Sequence, residues 1–230
     1  MKDPALFRRT AAAAGLVAAA ALIVVSVVLS PPFPADPVER LATFDEGGTS
    51  ALVSAWTFTL AQLPFIVGVL GIGHLIRGGA PLLSNLGTSL AVLGGFGHAV
   101  YGGVSLLTID MARDVDAREI YAGLLADSES GPLLPFMAVG LLGTVLGLVL
   151  LGVGLGRARV APRWVGPVLV LFVVVEFAGG ALSAWAGYAA SALYCLAFGA
   201  LAVTTWRTPR DAWAVAAGAP AAPQRPSLRS

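Results

Sequence analysis

Cysteine occurs once in the 230 residues, at Cys195. The chain therefore cannot close an intramolecular disulfide or assemble a thiolate metal cluster. Histidine occurs twice, at His74 and His98, and lysine once, at Lys2, against thirteen arginines. This arginine bias, with abundant Ala and Gly, is the composition of a GC-rich bacterial genome and carries no mechanism. Charged residues make up only 12% of the chain, about half the share of an ordinary soluble domain. Nothing in the charge pattern points to a nucleic-acid partner.

Catalytic and cofactor signatures are equally scarce. His74 lies three residues from Arg77, which places it roughly 17 Å below His98 in depth along a helical span. Two histidines so far apart cannot be axial ligands of one haem. One histidine and one glutamate without a nearby cysteine fall short of the three or four ligands of a metal site, so no cofactor or metal is expected. Gly-x-Gly patterns such as Gly71-Ile72-Gly73 lie in apolar sequence and are not phosphate cradles. No serine stands in an evident triad spacing with histidine and carboxylate.

Long apolar runs dominate instead. Hydrophobic residues make up 57% of the chain and the mean hydropathy is +0.83. Six stretches approach the roughly 20 residues that cross a bilayer: Ala11 to Ser30, Leu52 to Ile76, Leu83 to Thr108, Pro132 to Gly156, Trp164 to Leu182 and Tyr188 to Trp206. The expected fold is all-α, a polytopic bundle of about six transmembrane helices. Residues 1–10 form a cytoplasmic N-terminus, 11–206 the membrane domain, and 207–230 a disordered cytoplasmic tail rich in Ala, Pro and Ser. The first run is longer than a signal-peptide core, and Ser30-Pro31-Pro32 is a poor cleavage site, so it reads as a retained helix.

Charge tests this division. With both termini inside, Lys2, Arg8, Arg9, Arg77, Arg157, Arg159, Arg163, Arg207, Arg210, Arg225 and Arg229 share one side, and Arg40, Arg113 and Arg118 the other. That split matches the positive-inside bias of a multi-pass protein of the bacterial cytoplasmic membrane. Ten acids fall outside, Asp3 and Asp211 inside, and Glu176 alone within a span. Trp56 and Trp185 mark the outer boundary, and Trp164 and Trp206 the inner one.

The outer loops, 31–50 and 109–131, carry apolar residues at helical spacing, with Asp114 and Arg118 at i,i+4. They read either as short amphipathic helices or as solvated loops. Gly71 and Gly73 precede Pro81 just as Gly152 and Gly154 precede Pro162, 81 residues later. That match suggests a parallel repeat of helices 2–3 and 4–5. Gly143 and Gly147, like Gly152 and Gly156, have the G-x-x-x-G spacing of close helix packing.

The polar residues inside spans carry the functional reading. His98 stands about 15 residues above the inner end of its span and Glu176 about 12 above Trp164, roughly 22 and 18 Å up. Gln62, six residues below Trp56, reaches a similar depth. Gly87, Ala91, Gly94, His98, Tyr101 and Ser105 follow a three-and-four spacing, a small polar face turned toward protein. Glu176, Gly180 and Ser183 share a face in the same way. An ionisable residue at such depth costs roughly 2.5–3.5 kcal/mol on insertion scales and usually marks a wet cavity or a functional site. Glu176, His98, Gln62 and Tyr101 are the candidate ligand-binding residues. The bland readings are hydrogen bonds to neighbouring helices for Glu176, Gln62 and Tyr101, a satisfied interior ring for His98, and a kink for Pro64.

The stretches LPFIVGVLGIGHLIRGGAPLLSNLGTSLAVLGG and LLPFMAVGLLGTVLGLVLLGVGLGRARVAPRW, after an N-terminal span and an acidic outer loop, resemble small multi-span bacterial membrane proteins grouped as a domain of unknown function of the 4386 type. The resemblance is one of layout across residues 10–206. It implies an integral membrane protein and assigns no residues. Three functions follow as expectations. The first is a non-enzymatic protein binding a lipid-like or small amphipathic molecule in the outer half of the bundle. The second is a proton-coupled transporter component using Glu176. The third is an intramembrane enzyme with Glu176 and His98 as acid and base. The bilayer is the expected partner, with a homo-oligomer or a membrane protein left open.

Overall fold

The computed structural model describes residues 3–183 and 185–214. Among them are seven α-helices and no strand. Helix α1 spans Pro4–Leu29, α2 Pro37–Ile76, α3 Pro81–Ala112, α4 Arg118–Ser130, α5 Leu134–Ala158, α6 Val165–Ala178 and α7 Ala186–Arg207. Short 3₁₀ turns occupy Gly179–Ala181 and Asp211–Trp213. Helices α1, α2, α3, α5 and α7 are each long and apolar enough to cross a membrane. Helix α6 is apolar but has only 14 residues.

Sequence explains the starts. Proline at the first helical position costs no hydrogen bond and pre-sets the backbone, and it opens α1, α2 and α3. Asp3 accepts from the amides of Ala5 and Leu6, and Asp36 from that of Glu39, supplying the acceptors that a helix N-terminus lacks. The run from Pro4 means that residues 4–10 are already helical.

The long helices are arranged around a shared core. Helix α1 packs on α2 and α7, α2 on α3, α3 on α5, α5 on α6, and α6 on α7, which closes a ring. Leu16, Val69, Ala91, Leu148, Leu169 and Phe198 come from six different helices and are all fully buried in one cluster. Small residues set the spacing. Gly94, Gly97 and Ala91 of α3 meet Gly140, Gly143 and Gly147 of α5 backbone to backbone. Gly152 packs on Gly166 of α6, whereas nothing crowds its G-x-x-x-G partner Gly156.

Both outer segments are helical. The first is a continuation of α2 back to Pro37, bent at Gly48, whose φ of 49° is a conformation glycine adopts without strain. Backbone dihedrals stay helical through Pro64, so the break in α2 lies at Gly48. The second segment holds the end of α3 and all of α4. Leu41 and Phe44 of α2 pack on Ile109 of α3 and on Ala122 and Leu125 of α4 in a second core. Arg40 and Glu129 lie 3.0 Å apart, as do Arg118 and Asp45. Arg118 thus turns to a residue distant in sequence, and Asp114 instead accepts from the amide of Ala117.

The start of the expected disordered tail is docked. Trp213 is 2% exposed and stacks on His74, with ring centroids 4.4 Å apart. The Nε2 of His74 donates to the Ala212 carbonyl at 2.8 Å. Residues 207–214 therefore leave the tail, whose remainder, 215–230, lies outside the described residues. Helical order also ends early in α6. The 3₁₀ turn at Gly179–Ala181 interrupts the face expected to join Glu176 to Gly180 and Ser183.

Candidate functional site

A cavity of about 90 Å³ lies inside the ring, and every one of its six helices contributes to the wall. Helix α1 supplies Ile23, α2 supplies Phe58, Gln62 and Phe65, and α3 supplies His98. Thr144 and Leu148 come from α5, Phe172, Glu176 and Phe177 from α6, and Tyr194 from α7. This volume admits several waters or the end of a larger molecule.

Three of the four expected residues meet here. Gln62 is 5% exposed, and its amide donates to the Phe58 carbonyl one turn earlier at 2.9 Å. It is tied to its own helix rather than to a neighbour. His98 is half-buried. Its Nδ1 lies 3.2 Å from the Thr144 hydroxyl, and Phe58 meets its ring edge-on with centroids 5.9 Å apart. Glu176 has no hydrogen-bond or ion-pair partner among the described residues. Glu176 is exposed, and it lines the cavity from its rim. Phe177, beside it, reaches the outer surface of the bundle.

An aromatic column closes the cavity on the side of the chain's two ends. Phe172 packs against Tyr194 at 5.0 Å between centroids, Tyr194 against Phe198 at 3.9 Å, and Phe198 against Phe65 at 6.2 Å. Offset and tilted ring contacts of this kind add to area burial. The column makes a firm floor beneath Glu176 and Gln62.

Tyr101 stands elsewhere. It lines a second cavity of about 140 Å³ beneath the outer helices, with Ser26, Ser30, Ser54 and Ser105. Phe58 is common to both cavities and separates them. Within the second, the Ser54 hydroxyl donates to the Ser26 carbonyl at 2.8 Å, joining α1 to α2.

Thr144, Phe58, Phe172 and Tyr194 belong to the site without having been singled out in the sequence. Thr144 carried a usable signal, because it is the only polar uncharged side chain in the 25 residues of α5. The aromatics carried none, since ring-bearing residues in apolar helices are mostly core. Among the described residues no three of His, Cys, Asp and Glu come together as a metal site would require.

Together these features define an all-helical protein with five helices suited to spanning a membrane and an inner cavity bearing one unpartnered carboxyl group. No family model, no curated protein and no solved structure matches the chain.

Proposed function

We propose that the chain is a six-span protein of a bacterial cytoplasmic membrane with both termini inside, and that its inner cavity binds a lipid-like or small amphipathic molecule. Helix α6 acts as the sixth span. Its 14 residues and the three-residue 3₁₀ turn reach about 27 Å at the usual rises of 1.5 and 2.0 Å, close to the hydrocarbon thickness of about 30 Å. The partition of arginines supports this orientation, in which the cavity lies in the outer half.

One observation carries the binding reading: Glu176 borders the space that all six helices share and no group among the described residues answers it. A carboxyl group kept at that depth without a partner is costly, and a bound molecule offsets the cost. Gln62, held by its own helix, and the His98 ring can hold the polar end of the ligand with Glu176. Phe58, Phe65 and Phe172 receive its apolar part. The cavity is too small for a whole lipid, so the remainder of the molecule leaves past Phe177.

Native mass spectrometry on the detergent-purified protein tests this. The wild type should carry a bound molecule that Glu176→Gln and His98→Ala lose or hold more weakly. A wild type that carries nothing, with both variants equally stable, would overturn the reading. The presence of His98 in the same cavity supports a second reading, a proton-coupled transporter component. In that case Glu176→Gln abolishes proton uptake into liposomes while sparing ligand binding.

A further inference from the structure

Two open grooves run along α7 near its arginine-rich end. One, of about 760 Å³, lies between α7 and the start of α6 and is walled by Trp164, Leu196 and Gly199. The other, of about 690 Å³, lies between α7 and α1 and is walled by Ala14, Val17 and Trp206. The grooves share two residues, Val203 and Arg207. Each has the volume of an ordinary ligand site. Their walls are apolar in effect. The hydroxyls of Thr204 and Thr208, which face the first groove, donate back to the carbonyls of Ala200 and Thr204.

Charge at their junction lacks an internal answer. The three ion pairs among the described residues all involve Arg40, Arg113 or Arg118, at the opposite end of the bundle. Arg207 is exposed and has no hydrogen-bond or ion-pair partner among the described residues. Beside it, Arg9 lies over the Trp206 ring at 4.9 Å and donates to the Thr208 carbonyl at 3.3 Å, while its buried Nε remains without a partner. Asp3, one of the two acids at this end, is occupied in capping α1.

We propose that this end of α7 holds one anionic phospholipid with two acyl chains, its phosphate on Arg207 and one chain in each groove. Two apolar grooves that share Arg207 match a molecule with two tails and one negative head. A basic site between helices on the cytoplasmic side is where anionic headgroups bind. Trp164 and Trp206, one per groove, sit at the depth where indole rings favour the headgroup region. The lipid would bridge α1, α6 and α7, the closing segment of the ring. It is distinct in place from the molecule proposed for the inner cavity.

The test is a titration of the delipidated full-length protein with phosphatidylglycerol and with phosphatidylcholine of equal chain length, read by native mass spectrometry. One phosphatidylglycerol should be retained per chain at about tenfold lower concentration than phosphatidylcholine, whose choline cation offsets the phosphate charge and is repelled by Arg207. Lysophosphatidylglycerol, with one tail, should bind more weakly, and glycerol 3-phosphate should leave no adduct. Arg207→Gln should remove the preference for the anionic lipid. Gly199→Leu, whose new side chain enters open space, should reduce the two-tailed lipid to the one-tailed level while keeping the preference for negative charge. Equal retention of both lipids, or a preference that survives Arg207→Gln, would overturn the proposal. So would a glycerol 3-phosphate adduct as strong as the lipid's, which would mean a free phosphoester site.

Discussion

The Thr144 hydroxyl of α5 lies 3.2 Å from Nδ1 of His98 on α3, so the one imidazole in that helix is held by a neighbouring helix at the cavity wall. Removing the hydroxyl while keeping the shape, as in Thr144→Val, leaves Nδ1 without its protein partner. The expected loss is about 1 kcal/mol, at the low end for an unsatisfied polar group because cavity water can substitute. Thr144→Ser should restore stability. Thermal unfolding in detergent measures both variants. A Thr144→Val protein as stable as wild type would mean that the contact only positions the ring.

Close approach of α3 and α5 rests on glycine. A methyl group at Gly97 would meet the Gly140 amide and the Phe136 carbonyl, both backbone atoms that cannot rotate away. Gly97→Ala should therefore cost about 1–3 kcal/mol and move His98, the next residue, away from Thr144. Gly103→Ala on the same helix meets nothing within 4 Å and should be neutral or slightly stabilising. Equal melting temperatures for the two variants would show that the helices separate freely.

Much of this was legible beforehand, and for physical reasons. Hydropathy and charge sort residues by environment, so the all-helical class and the five long apolar helices α1, α2, α3, α5 and α7 follow from the residues alone. Depth arithmetic also works within a bundle, because helical rise is fixed at 1.5 Å per residue. It placed Glu176, His98 and Gln62 at one level, and all three border one cavity. Tyr101, one turn beyond His98, crossed into the next cavity, because Phe58 divides the interior there and no helix-by-helix reading sees a wall supplied by another helix. The partner of Arg118 was illegible for a similar reason. Asp45 is 73 residues away in sequence, and local i,i+4 spacing favours Asp114. The paired glycines at 71 and 152 also face different neighbours, Ala12 of α1 and Gly166 of α6, which sequence spacing cannot reveal.

The outer helices are tied to each other through charge. Arg40 is 5% exposed, lies 3.0 Å from Glu129 and sits 4.9 Å over the Phe33 ring. The approach to Glu129 is a close ion contact whose N–H is not aligned for a hydrogen bond. Glu129→Gln leaves a buried guanidinium without its counter-charge and should cost about 2 kcal/mol, less than a fully buried pair because Glu129 keeps some solvent contact. Arg40→Met combined with Glu129→Gln should recover part of that loss. A double-mutant cycle on the melting curves gives the coupling, and a coupling of zero would show that Phe33 alone holds Arg40.

At the opposite end, Trp213 lines the space between α1 and α2 and stacks on His74. Arg8 donates to its carbonyl at 3.4 Å, and His74 donates to the Ala212 carbonyl. The indole N–H is buried without a partner, so the apolar ring face must supply the binding energy. Trp213→Ala should release residues 208–214 while costing the bundle little, because no long helix depends on them for its own hydrogen bonds. Limited trypsin digestion followed by intact mass reads this directly. Cleavage after Arg210 should become at least several-fold faster in Trp213→Ala, and Trp213→Phe should fall between the two, since it keeps a stacking ring of smaller area. If Trp213→Ala is cut no faster than wild type, the hydrogen bonds of Arg8 and His74 hold the segment and the stack is incidental.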